Sequence, residues 1–155
     1  MREQALKEEV KERLIKHINF LEAELKDYQI FKSLTWEEYR VKRSKQRDVE
    51  RWVENIINSC IDMAKIILTS KGISLPDTYR EVVASLSVVH GFDKEHIEKL
   101  SRWVRFRNII SHEYLDIKWS SIKRFINETK PLYQGFLNKT KEYLETELMG
   151  EGRSC

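Results

Sequence analysis

Two prolines and five glycines in 155 residues leave few places where a helix must break. So few breakers argue against a β fold with many tight turns and make long helices the default. Cysteine is equally scarce. Cys60 falls on an apolar helical stripe and Cys155 is the last residue, so a disulfide framework is not expected and a reducing compartment is. No apolar run approaches the roughly 20 residues that span a bilayer. The start, Met1-Arg2-Glu3-Gln4-Ala5-Leu6-Lys7, lacks the pattern of a signal peptide. A soluble protein in the cytoplasm, with no membrane partner, is therefore expected. Charge of one sign is also missing: 28 basic and 25 acidic residues leave a formal +3, too little to mark a nucleic-acid binder without local clustering. There is no glycine-rich phosphate loop. The four histidines, His17, His90, His96 and His112, form neither a His-x-x-x-His pair nor the paired Glu-x-x-His of a helical metal site. No metal and no cofactor are expected.

What is present is helical periodicity. Hydrophobic residues are 41% of the chain, enough for one sizeable core. Leu6, Val10, Leu14, Ile18, Leu21, Leu25 and Tyr28 step by three or four, which predicts a first helix over about residues 3–31. A second begins after Thr35, where Thr35 and Glu38 form a capping box and Leu34 and Tyr39 a hydrophobic staple. Its first half is basic and its second half apolar, from Val49 to Leu68, with Gly72 as the stop. Unbroken, it would be about 50 Å long, so part of it would project or pack on a second subunit. Pro76 and Thr78-x-x-Glu81 open a third helix that Gly91 ends. Asp93 caps a fourth. The last starts near Ile117 and is expected to kink at Pro131, which has no N–H for the carbonyl of Asn127. The pattern predicts an all-α fold, one up-and-down bundle of about five helices over residues 1–149, and a frayed tail over 150–155.

Chemistry concentrates at the end of the fourth helix, in Arg107-Asn108-Ile109-Ile110-Ser111-His112-Glu113-Tyr114. Ile109 and Ile110 can be buried and tie the polar groups to the core. On a regular helix Arg107, Ser111 and Tyr114 share one face, and Asn108 and His112 another. Arg107 and His112 are then about 140° apart and do not aim at one point. Either the helix deforms near Ser111, or two copies build a composite site across a two-fold axis. The residue types suit phosphodiester chemistry without a metal. An imidazole titrating near neutrality can move a proton. A guanidinium can hold a phosphate bidentately and stabilise charge developing on it. Asn108 can orient a phosphate oxygen or the imidazole, and Ser111, on the Arg107 face, is a further supporting candidate. RNA brings its own nucleophile in the 2′-hydroxyl. Taken alone, the same residues also read as an ordinary helix end with a cation on the dipole, a capping imidazole and a half-buried phenol.

The eight residues resemble the Arg-x4-His-x-Tyr signature of the HepT-like branch of the HEPN superfamily. Asp116-Ile117 and Leu75-Pro76 resemble that branch in outline. Ser111 departs from it, standing where an apolar residue is more usual. The resemblance implies an all-helical homodimer with metal-independent endoribonuclease activity, in which Arg107 and His112 are catalytic. It further implies a toxin neutralised by an MntA-like nucleotidyltransferase antitoxin that adenylylates Tyr114. The alternative, of a different class, is a non-catalytic helical subunit that partners a nucleotidyltransferase.

Two further features bear on RNA. The basic segment containing Arg40, Arg43, Lys45, Arg47 and Arg51 can track a phosphate backbone, or can simply be a solvated helix face. Trp36, Trp52, Trp103 and Trp119 can stack on bases, though packing in a core is the commoner use of such rings.

Overall fold

Amphipathic stripes of this kind bury themselves by packing helix on helix. In the computed structural model every described element is helical; the described residues are 2–113, 115 and 117–148, and residues 2–6 are described as backbone alone. The tail expected over 150–155 and the motif residue Tyr114 lie outside them. Eight α-helical segments follow in order: α1 (Arg2–Leu25), α2 (Tyr28–Lys32), α3 (Trp36–Val41), α4 (Arg43–Ser70), α5 (Tyr79–Ala84), α6 (Lys94–His112), α7 (Trp119–Glu128) and α8 (Lys130–Tyr143). A 3-10 turn, Ser85–Val88, follows α5, and a π-helical turn, Leu144–Leu148, follows α8. With α2 taken as the continuation of α1, the described chain has about seven helices, not five.

α4 is the central element. It packs against α1, α3, α5, α6, α7 and α8, and its buried residues run from Val49 to Leu68. The stripe read from α1 is buried from Leu14 through Ile18 and Leu21 to Leu25. Caps appear where local spacing placed them. Thr35 and Glu38 form the capping box, Thr78 accepts from the Glu81 N–H, and Asp93 accepts from the His96 N–H. Gly72 and Gly91 take positive φ, 71° and 98°, where a side chain would strain the backbone.

The extra helices come from three breaks. The first separates α1 from α2 at Lys26 and Asp27. There the Trp52 indole N–H donates to the Glu24 carbonyl at 2.8 Å, and Tyr28 turns in against Trp52 and Phe125. The second is at Lys42, which is extended (φ −93°, ψ 100°) and divides the expected long helix into α3 and α4. A straight helix would carry Tyr39 about 15 Å beyond Val49 and into solvent. The break folds α3 back, so that Tyr39 is buried against Trp119 and donates to Glu50 Oε2 at 2.6 Å. The third replaces the kink expected at Pro131. The chain breaks at Thr129, and Pro131 stands in the first turn of α8, where a missing N–H costs no helical bond. Thr129 is fully buried; its Oγ1 lies 2.6 Å from the Tyr28 hydroxyl and donates to the Phe125 carbonyl. Among the described residues no helix is long and apolar enough to cross a membrane.

Candidate active site

α6 sets the motif. Ile97, Leu100, Val104, Phe106 and Ile110 bury its inner face, and Trp103 packs edge-on to Phe125. Ile110 is buried and Ile109 is partly buried against the core, so the polar residues between and beside them ride on an anchored helix. The helix stays regular through His112 and ends at Glu113 (φ −121°, ψ 42°), whose N–H still reaches the Ile109 carbonyl. Of the two alternatives left open by spacing, deformation near Ser111 therefore does not occur. On a helix regular through both positions, Arg107 and His112 leave the axis about 140° apart.

Arg107 is half-buried and held. Its Nε–H donates to Asn58 Oδ1 on α4 at 2.9 Å, and an Nη1 proton reaches Asn108 Oδ1 at 3.4 Å. The guanidinium carbon lies 5.1 Å from the centre of the Tyr79 ring on α5, and Lys65 Nζ lies 4.6 Å from the same centre. Each such contact is worth about 0.5–1 kcal/mol at a partly exposed site, so the pair of cations is tethered without being neutralised. Asn58 and Lys65, seven residues apart, share one face of α4. The result is a local concentration of positive charge beside the motif, with most of the Arg107 terminal donors still available.

The other motif residues separate by face. Asn108 and His112 are exposed on the outer side, as their shared helical face requires. Ser111 shares the Arg107 face, and its Oγ is buried without a hydrogen-bond partner among the described residues. It is thus turned away from anything arriving from solvent. The helical register that put Tyr114 with Arg107 holds only as far as His112, and Tyr114 lies outside the described residues.

The basic residues ahead of the core divide similarly. Arg43, Arg47 and Arg51 form one exposed stripe on α4 at four-residue spacing and make no ion pair among the described residues. Lys45 is paired with Glu38 and holds its carboxyl below the usual range. Arg40 reaches Glu37 at 3.0 Å. Trp52 is core and Trp103 is partly buried, with Arg124 over its ring. Trp36 is 46% exposed. Asn58, Lys65 and Tyr79, which surround Arg107, were not among the candidates that local spacing offered. Asn58 did leave a trace, as a carboxamide inside the apolar run Ile56-Ile57-Asn58-Ser59-Cys60-Ile61. Among the described residues no group of three His, Cys, Asp or Glu side chains is placed to hold a metal ion.

No curated protein matches the chain significantly by sequence search. Solved structures do match its fold. A tri-AMPylated Shewanella oneidensis HEPN toxin in complex with MNT antitoxin superposes with a TM-score of 0.73 at 18% identity, covering 83% of this chain and 96% of that one. YutE from Bacillus subtilis, described as a cytosolic protein of unknown function, gives 0.75 at 20% identity over 88% of this chain and 92% of its own. A toxin–antitoxin structure with AMP-PNP gives 0.74 at 17% identity over 83% and 97%. The family model described as ribonuclease HepT-like matches residues 9–140, and the chain belongs to that family, within the HEPN superfamily.

Proposed function

We propose that the protein is a metal-independent endoribonuclease that acts as the toxin of a HepT/MntA-type pair. The observation that carries this reading is Arg107, oriented by Asn58 and Tyr79 at the surface, on the same regular helix whose last turn exposes His112. In the reaction, the RNA 2′-hydroxyl attacks the adjacent phosphorus. The new O2′–P bond forms as the P–O5′ bond breaks. His112 takes the 2′-hydroxyl proton, and water supplies the proton to the departing 5′ oxygen. Arg107 pairs with the phosphoryl oxygens, whose charge grows in the transition state. The products are a 2′,3′-cyclic phosphate and a 5′-hydroxyl.

Since α6 aims Arg107 and His112 apart, the working site is composite. One protomer of a homodimer supplies Arg107 and its partner supplies His112. The positive cluster of Arg107 and Lys65 beside Tyr79 favours an incoming polyanion. The antitoxin part of the reading draws on relatives of like fold, one of which is an AMPylated toxin bound to an MNT antitoxin. Here Tyr114 is the residue that an MntA-like nucleotidyltransferase would adenylylate. Adenylate phosphate two residues beyond His112 would compete with RNA phosphate for Arg107.

The test is incubation of the purified protein with single-stranded RNA in the presence of a chelator. Cyclic-phosphate ends are expected, and Arg107→Ala and His112→Ala should each lower the rate about 100-fold or more. Unchanged cleavage in both variants would place the activity elsewhere. No cleavage by the intact protein would favour the non-catalytic subunit.

A further inference from the structure

The break at Lys42 that folds α3 back creates a second feature. Trp36, Tyr39 and Arg40 of α3, with Gln46 of α4, face Lys118 and Trp119 at the start of α7 across an open groove of about 440 Å³. That size is in the range of small-molecule sites. Its floor and walls are aromatic. Tyr39 and Trp119 lie 5.0 Å apart by ring centres, and Trp36 and Trp119 lie 6.4 Å apart, tilted by 42°. The Tyr39 hydroxyl is committed to Glu50, and burial pushes its pKa up, so the floor stays neutral. Trp36 keeps nearly half its surface in solvent, which the core does not explain.

Charge decides what this groove suits. Its cations are Arg40 and Lys118, and none of its described lining residues is a carboxylate. Arg40 shares an exposed pair with Glu37, of a kind that water and salt weaken and a phosphate can displace. Lys118 makes no ion pair among the described residues. Flat aromatic walls with flanking cations are what an unpaired nucleobase and its neighbouring phosphates require. A duplex buries its base faces in its own stack and cannot use such walls.

Position supports the same ligand. Ile117, on the groove's rim, is five residues beyond His112, and five residues span at most about 17 Å. A strand gripped in the groove can therefore pass on to the motif. The exposed stripe Arg43, Arg47 and Arg51 begins on the same helix as Gln46 and extends the positive surface. We propose that this groove binds an unpaired nucleobase of a single-stranded RNA, stacked on Trp36 and Trp119, with Arg40 and Lys118 on the adjoining phosphates. The identity of the polymer rests on the ribonuclease reading above; the stacking site rests on the groove itself.

The test uses the full-length protein and a fluorescein-labelled 2′-O-methyl RNA of mixed sequence, which lacks the attacking hydroxyl and is bound without being cut. Anisotropy titrations should show Trp36→Ala binding roughly tenfold more weakly, with Trp36→Phe retaining most of the affinity. A strand of equal charge whose nucleotides are abasic should bind the intact protein about tenfold more weakly, and Trp36→Ala should weaken it no further. Lys118→Ala should lower the slope of log affinity against log salt by about 0.7. Equal affinity of Trp36→Ala and the intact protein for the normal strand would overturn the proposal. So would an equal loss for normal and abasic strands. A change in sedimentation mass with unchanged RNA affinity would overturn it in favour of a contact between copies. Base-dependent binding by a protein that cuts no RNA would uphold the groove and reject the ribonuclease reading, so the two fail separately.

Discussion

Arg107 reaches the surface of α6 already oriented. A free arginine loses rotamer freedom when it clamps a phosphate, and the Asn58 bond and the Tyr79 ring meet that cost before substrate arrives. Asn58 is thus a positioning residue for the proposed cleavage. Asn58→Ala should lower kcat about tenfold with little change in KM, and Asn58→Gln should not restore it, because the longer amide misplaces its oxygen. Steady-state cleavage of a short RNA measures both. A full-rate Asn58→Ala would show that Arg107 needs no such support. Arg107 and His112 could be proposed from the sequence because their signal is a local spacing. Asn58 and Tyr79 could not, since the Arg107–Asn58 bond spans 49 residues of chain. Periodicity says which face of a helix is covered. It does not say which residue of another helix covers it.

Elements were legible to the same depth. Thr35, Thr78 and Asp93 marked helix starts because a cap is made within three residues. The breaks at Lys26–Asp27 and Lys42 were not legible, because each answers to a partner far away in sequence; Pro131 announced the third, but its placement at Thr129 also answers to a distant partner. At the α7–α8 junction that partner is Tyr28, 101 residues distant, whose hydroxyl is buried against Thr129 Oγ1. Burial pushes the Tyr28 pKa well up, so the phenol stays neutral and needs this partner. Thr129→Val keeps the shape and strands the hydroxyl, and should cost about 1–3 kcal/mol in urea denaturation. Adding Tyr28→Phe should recover part of that loss, since no buried polar atom is then left unpaired. A Thr129→Val protein as stable as the original would contradict the assignment.

For the whole molecule, the regularity of α6 is the governing fact. Phe106 and Ile110 hold the helix straight through His112, so the buried core keeps the two proposed catalytic side chains apart within one chain. On the proposed reading, a site that uses both takes one of them from a second copy, and cleavage would be a property of the dimer. Mixing the two inactive variants tests this most directly. Arg107→Ala and His112→Ala chains, co-expressed and purified together, should form mixed dimers in about half of cases. Each mixed dimer pairs the intact Arg107 of one protomer with the intact His112 of its partner, and so carries one complete site of two. The account predicts recovery to about a quarter of the activity of the intact protein, from two preparations that are inert alone. Mixed dimers that form, as native mass spectrometry would verify, and yet cut no RNA would contradict it.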